Sequence, residues 1–136
     1  MSKRIAIMGA GAVGSYIGAF LTHAGNDVTM IDGWGQHVDA MNSKGIQVSG
    51  AQGDFVVPVK AIHLGNVQQV REPFDITFLS VKSYDTEWAS HFIKRFVAID
   101  GVVIGSQNCM NDELVASVVG HQRYVGAVIS TIAVAL

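Results

Sequence analysis

The chain has 136 residues, 49% of them hydrophobic, and its nine Lys and Arg against eleven Asp and Glu leave a formal net charge of −2. This composition excludes a disordered chain, and the scattered basic residues argue against a phosphate-tracking surface for DNA or RNA. A single Cys permits no internal disulfide, which points to the reducing cytoplasm, and every apolar stretch is broken well before the about 18 residues that would suit a membrane span.

Ile5-Ala6-Ile7-Met8 is short, apolar and followed at once by Gly9, as expected of a buried strand ending in a tight turn. From Val13 the apolar residues recur at Ile17, Phe20 and Leu21, one face of a helix that Gly25 stops. Residues 27–31 read as a second buried strand and 36–44 as a short helix ended by Gly45. A hairpin excursion follows: residues 46–49 alternate, Gly50 and Gly53 punctuate, and 55–59 form the partner, with Pro58 marking an edge strand. After a polar segment with a helical turn near 67–70, a strand over 74–81 enters the core sheet and carries Lys82 at its carboxyl end. A helix over 86–97 shows the stripe Trp88, Phe92 and Phe96, of which Trp88 and Phe92 are assigned to the core. A strand at 102–104, a short helix over 112–119 and a last strand over 124–129 complete the order. Strands alternating with helices imply right-handed crossovers. The fold class is therefore α/β, a Rossmann-type doubly wound and mostly parallel sheet with a small hairpin excursion, in one domain over residues 1–136.

Gly9-Ala10-Gly11-Ala12-Val13-Gly14 matches GxGxxG, and its place between a strand and a helix gives the pattern its weight. Gly9 permits the turn, Gly11 lets a pyrophosphate approach the backbone, and Gly14 lets the helix pack close to the sheet, while free N–H groups at the helix start supply an anion site. Asp32 lies 18 positions after Gly14, near the offset of about 20 expected for an acid that holds an adenosine ribose. A 2′-phosphate beside that carboxylate would cost about 4 kcal/mol at an effective dielectric of 20. Even half of that is more than tenfold against NADP. No Arg or Lys occurs among Gly33, Trp34, Gly35, Gln36 and His37 to offset it, so the residues favour NAD. The alternative reading is that Asp32 only caps the following helix.

Ligands of open α/β sheets lie beyond the carboxyl ends of the strands, and Lys82 and Asn108 both follow such ends. An ammonium and an amide there are donors for the charge that develops on a ketone oxygen during hydride transfer. A solvated lysine and a loop-capping amide are the plainer alternatives.

Gly9 to Gly14 followed by Ser15-Tyr16-Ile17-Gly18, then Val81-Lys82-Ser83-Tyr84-Asp85-Thr86, then Ser106-Gln107-Asn108 together resemble the N-terminal domain of ketopantoate reductase (2-dehydropantoate 2-reductase), over nearly the whole chain. The resemblance implies hydride transfer between NAD(P)H and a 2-keto or 2-hydroxy acid. Lys82 would contact cofactor or substrate, and Asn108 would bind the nicotinamide side and the keto acid. It also implies a second, all-helical domain that supplies the principal proton-donating lysine and an acidic partner. The sequence ends on apolar residues with no such domain, an expectation of a truncated chain that binds cofactor but turns over poorly. Family members usually use NADPH, with Arg where this sequence has Asp32, and they have Gly where this sequence has Cys109. NADP thus enters through the resemblance, NAD through the residues. A stand-alone NAD(H)-sensing module without catalysis is the alternative function.

The five histidines show neither HExxH nor CxxC spacing, so no metal site is expected and packing or surface roles are assigned to them. Asp85 and Glu87 suit the first turn of a helix, and Cys109 reads as a packed loop cysteine. An uncovered apolar patch near the C-terminus would pair two copies into a homodimer.

Overall fold

The computed structural model describes residues 2–108, 110–130 and 133. A six-stranded sheet contains β1 (Arg4–Met8), β2 (Asp27–Asp32), β5 (Lys60–His63), β6 (Phe74–Leu79), β7 (Val97–Gly105) and β8 (Tyr124–Gly126), all parallel, in the order β5-β2-β1-β6-β7-β8. The helices are α1 (Ala12–His23), α2 (Gly35–Lys44), α3 (Thr86–Lys94) and α4 (Asp112–Val119). A separate antiparallel hairpin of β3 (Ile46–Val48) and β4 (Phe55–Val57) is the expected excursion.

β1 shows why its sequence is an unbroken apolar run. Successive side chains of a strand point to opposite faces, and here both faces are covered. Ile5 and Ile7 join Val28, Met30, Val38 and Met41 on the side of α1 and α2. Ala6 and Met8 join Ile31, Ala89, Ile93 and Val115 on the side of α3 and α4. The hairpin rests on another part of α1, where Val48 and Val57 pack with Ala19, Tyr16 and Phe20.

Several boundaries differ from the sequence reading, and β6 ends at Leu79 rather than 81, which leaves Lys82 in the loop beyond it. β4 ends at Val57, and after Pro58 and Val59 the chain enters the main sheet as β5, parallel to β2. The apolar pattern hides this strand because it is an outer one: Lys60 is exposed, Ala61 is buried, and Ile62 and His63 are half-buried. α3 stops at Lys94, and Val97, which continues the helical spacing from Ile93, opens β7 instead. The Phe96 amide still bonds the Ile93 carbonyl at 2.8 Å while its own carbonyl receives the Phe74 amide at 2.7 Å, so the switch from helix to ladder takes two residues. β8 stops at Gly126 rather than 129. Trp88 is not core: it is 44% exposed, and its indole N–H donates to Asp85 at 2.7 Å.

The outer edge of β5 is occupied by a side chain. Asn42 of α2 donates to the Ala61 carbonyl at 2.9 Å and accepts the Ala61 amide at 2.9 Å, imitating a neighbouring strand. An unpaired edge is a template for other chains, and this amide blunts it. Asn42→Ala leaves a part-buried donor and acceptor unmet, so a loss of about 1–3 kcal/mol is expected in denaturant unfolding, with more association at high protein concentration.

Candidate functional site

The chain runs from β1 outward to β2 and β5, then returns to the other side of β1 as β6, so the direction of winding reverses between β1 and β6. The carboxyl ends of these two strands touch. Gly9 has φ +96, and a Cβ on it would lie 2.8 Å from the Val81 amide nitrogen, one residue before Lys82. Gly14 faces the same turn from α1, and any Cβ there would overlap the Gly9 carbonyl oxygen. Gly11 is different. A Cβ at Gly11 would meet nothing within 4 Å, so the protein itself sets no limit on side-chain size there. Gly11 is also the N-cap of α1, with no side-chain cap and no acid in the first turn. The positive end of the helix is left facing open space, the arrangement that suits an anion.

The peptide at Ala10 is held on both its polar atoms. Ala10 is fully buried, and its amide donates to Asp32 Oδ2 at 2.8 Å. Its carbonyl accepts from Ser15 Oγ at 2.7 Å and from His37 Nε2 at 2.8 Å, which fixes the proton of that imidazole on Nε2. Asp32 Oδ1 takes the Trp34 amide at 2.9 Å. The carboxylate therefore bonds the N-cap residue's own amide and the glycine turn rather than the first turn of α2, whose N-terminus has no side-chain cap. With about four lone-pair directions and two in use, it retains capacity for two hydroxyl donors.

Lys82 and Asn108 stand on adjacent loops. Leu79 pairs with Gly105 at the ends of β6 and β7. Beyond them Ser80 Oγ and Ser106 Oγ are 2.6 Å apart, and Gln107 Nε2 donates to the Val81 carbonyl at 2.8 Å and to Thr86 Oγ1 at 2.7 Å. Lys82 is exposed and in no ion pair among the described residues. Asn108 is exposed, and its carbonyl accepts Asn111 Nδ2 at 3.0 Å. Asn108 lines a cavity of about 310 Å³ with Gln107, Asn111, Asp112 and Tyr124. A larger hollow, about 560 Å³, runs past Lys60 and Arg71 and includes none of the glycine turn, Asp32, Lys82 or Asn108. Among the described residues no three His, Cys, Asp or Glu gather as metal ligands would, and no helix is long and apolar enough to cross a membrane. Cys109 lies outside the described residues.

Over residues 5–136 the sequence matches the family described as ketopantoate reductase PanE/ApbA. The chain belongs to the ketopantoate reductase family. It is 37% identical to a 2-dehydropantoate 2-reductase of Archaeoglobus fulgidus across 84% of this chain and 35% of the relative. The structure superposes on a PanE/ApbA family ketopantoate reductase of Ralstonia eutropha with a TM-score of 0.76 at 31% identity, covering 90% of this chain and 39% of that one. D-mandelate dehydrogenase in complex with NADH and anilino(oxo)acetate gives a TM-score of 0.79 at 26% identity, covering 89% and 39%. The chain spans about a third of the length of the curated relatives it matches.

Within this member of the family, sequence reasoning missed His37 and Gln107 as parts of the candidate site. His37 carries no motif. Gln107 sits inside the Ser106-Gln107-Asn108 signature, yet only the fold reveals that its amide ties the Lys82 loop to the Asn108 loop. Tyr124 was read only as a strand residue; its hydroxyl donates to Asp112 Oδ1 at 2.6 Å across the cavity wall.

Burial first, and then the Asp112 carboxylate, push the Tyr124 phenol above its ordinary 10. The folded state thus holds that proton more tightly than the unfolded chain, so the contribution is complete below pH about 10 and is lost as pH rises above it. Tyr124→Phe is expected to flatten the fall of stability above pH 10, read as unfolding midpoints across the alkaline range. A second expectation concerns Gly11→Val. It costs about 1 kcal/mol or less of stability through a poorer N-cap, but lowers dinucleotide affinity at least tenfold by filling that open space, as calorimetric titration measures.

Proposed function

We propose that this chain is the cofactor-binding half of an oxidoreductase that moves a hydride between NAD(H) and a 2-keto or 2-hydroxy acid, in the reducing cytoplasm. The observation that carries the reading is the contrast among the three glycines: Gly9 and Gly14 are closed by the protein's own backbone, whereas Gly11 borders open space at an uncapped helix start. Such a place fits a diphosphate.

The backbone N–H groups at Gly11, Ala12 and Val13 would hold the diphosphate, and the free lone pairs of Asp32 would accept the ribose hydroxyls. The nicotinamide, when bound, supplies or accepts the hydride. Lys82 and Asn108 donate hydrogen bonds toward the keto oxygen, where negative charge grows during reduction. NAD is preferred over NADP because Asp32 meets a 2′-phosphate with like charge. A relative of 26% identity whose structure contains NADH supports this preference. A C-terminal helical domain, for which the relatives' greater length leaves room, would cover the substrate side, where Val128 is 96% exposed, and supply the acid–base group.

Calorimetric titration with NADH and NADPH tests the reading. Wild type is expected to favour NADH more than tenfold, and Asp32→Asn, which keeps an acceptor for the Ala10 amide, is expected to narrow that ratio to a few-fold. Equal affinities in wild type would overturn the role given to Asp32, and no binding of either dinucleotide would overturn the cofactor reading itself.

A further inference from the structure

Trp34 follows Asp32 by two residues and is 64% exposed. It is the N-cap of α2, where Ser, Thr, Asp or Asn would stabilise the helix; an indole does not, and no side-chain cap bond forms. Helix capping and core burial therefore both fail to account for it. The ring is nonetheless held in place. It stacks on the His37 ring with centroids 5.7 Å apart and planes at 24°. His37 is in turn bonded to the Ala10 carbonyl, and the Trp34 amide is bonded to Asp32. The indole is thus tied through one neighbour to the glycine turn and through its backbone to the acid, with much of its surface turned to solvent. Trp88, the second tryptophan, differs: its N–H is used on Asp85.

We propose that Trp34, seated on His37, is the stacking platform for the adenine base of the dinucleotide; this rests on the cofactor reading above and adds a specificity-determining residue to it. The base is joined to the ribose that Asp32 would hold, so a residue two positions beyond the acid is within its reach. A planar π-surface held by its own neighbour, as Trp34 is by His37, binds a flat base with less loss of side-chain freedom. Stacking of this kind recognises the face of a purine and not its edge, so it is tolerant of substituents on the ring.

The test is titration of the 136-residue chain with ADP-ribose, which has adenine but no nicotinamide, and with nicotinamide mononucleotide, which has the reverse. Binding is read by calorimetry and by tryptophan fluorescence. ADP-ribose is expected to quench the emission of wild type and of Trp88→Phe alike. Trp34→Ala should weaken ADP-ribose about tenfold while leaving nicotinamide mononucleotide unchanged, and Trp34→Phe should restore most of the loss. ADP-ribose affinity within twofold of wild type in Trp34→Ala overturns the platform while leaving the cofactor reading intact. Equal weakening of both ligands also overturns it, since that would mark a general structural role. Failure of wild type to bind either ADP-ribose or NADH removes the cofactor reading and the platform together.

Discussion

The approach of α1 to the end of β1 is the constraint on which the rest depends. A strand that turns directly into a helix above a buried sheet must let two backbones meet, and the Gly14 position leaves no space for a side chain against the Gly9 carbonyl. Because that contact is closed, the start of α1 sits over the sheet at the reversal between β1 and β6. The N-terminal amides of α1 then stand beside that reversal with open space at Gly11. Overfilling this contact would displace the helix that also carries Ile17 and Leu21 into the core on its side of the sheet, so the placement of the helix start and the fold share one origin.

From that point the candidate site assembles by ladder register. β2 delivers Asp32 beside the turn, the segment after β6 sets Val81 against Gly9 with Lys82 one residue on, and Ser106, Gln107 and Asn108 follow the end of β7 on the neighbouring strand. Gln107 links the two loops and thereby ties the segment that carries Lys82 to the segment that carries Asn108. Hydrogen bonds between loops, rather than apolar contacts, carry this outer part of the site.

Much of this was legible in the amino-acid sequence. Strands buried on both faces leave unbroken apolar runs, as in Ile5-Ala6-Ile7-Met8, and glycines with a fixed spacing announce a close backbone approach. What escaped had weaker local signals. Lys60–His63 forms an outer strand whose edge is satisfied by Asn42, so its own pattern had no need to alternate. Val97 fits the spacing of α3 and the start of β7 equally well, and only the ladder with Phe74 decides. Trp88 belongs to an aromatic stripe, but hydrogen bonding of its indole to Asp85 draws it to the surface. His37 is brought to the glycine turn by the placement of α2, a long-range fact that no local spacing encodes.

The grip on the Ala10 peptide has a kinetic meaning. With its amide engaged by Asp32 and its carbonyl by Ser15 and His37, the bend is held in one shape by the protein's own groups. An incoming molecule then meets a rigid receptor, and capture proceeds at the pace of oriented encounter with no slow folding of a loop around it. Discrimination among similar dinucleotides would therefore reside in how long each one stays.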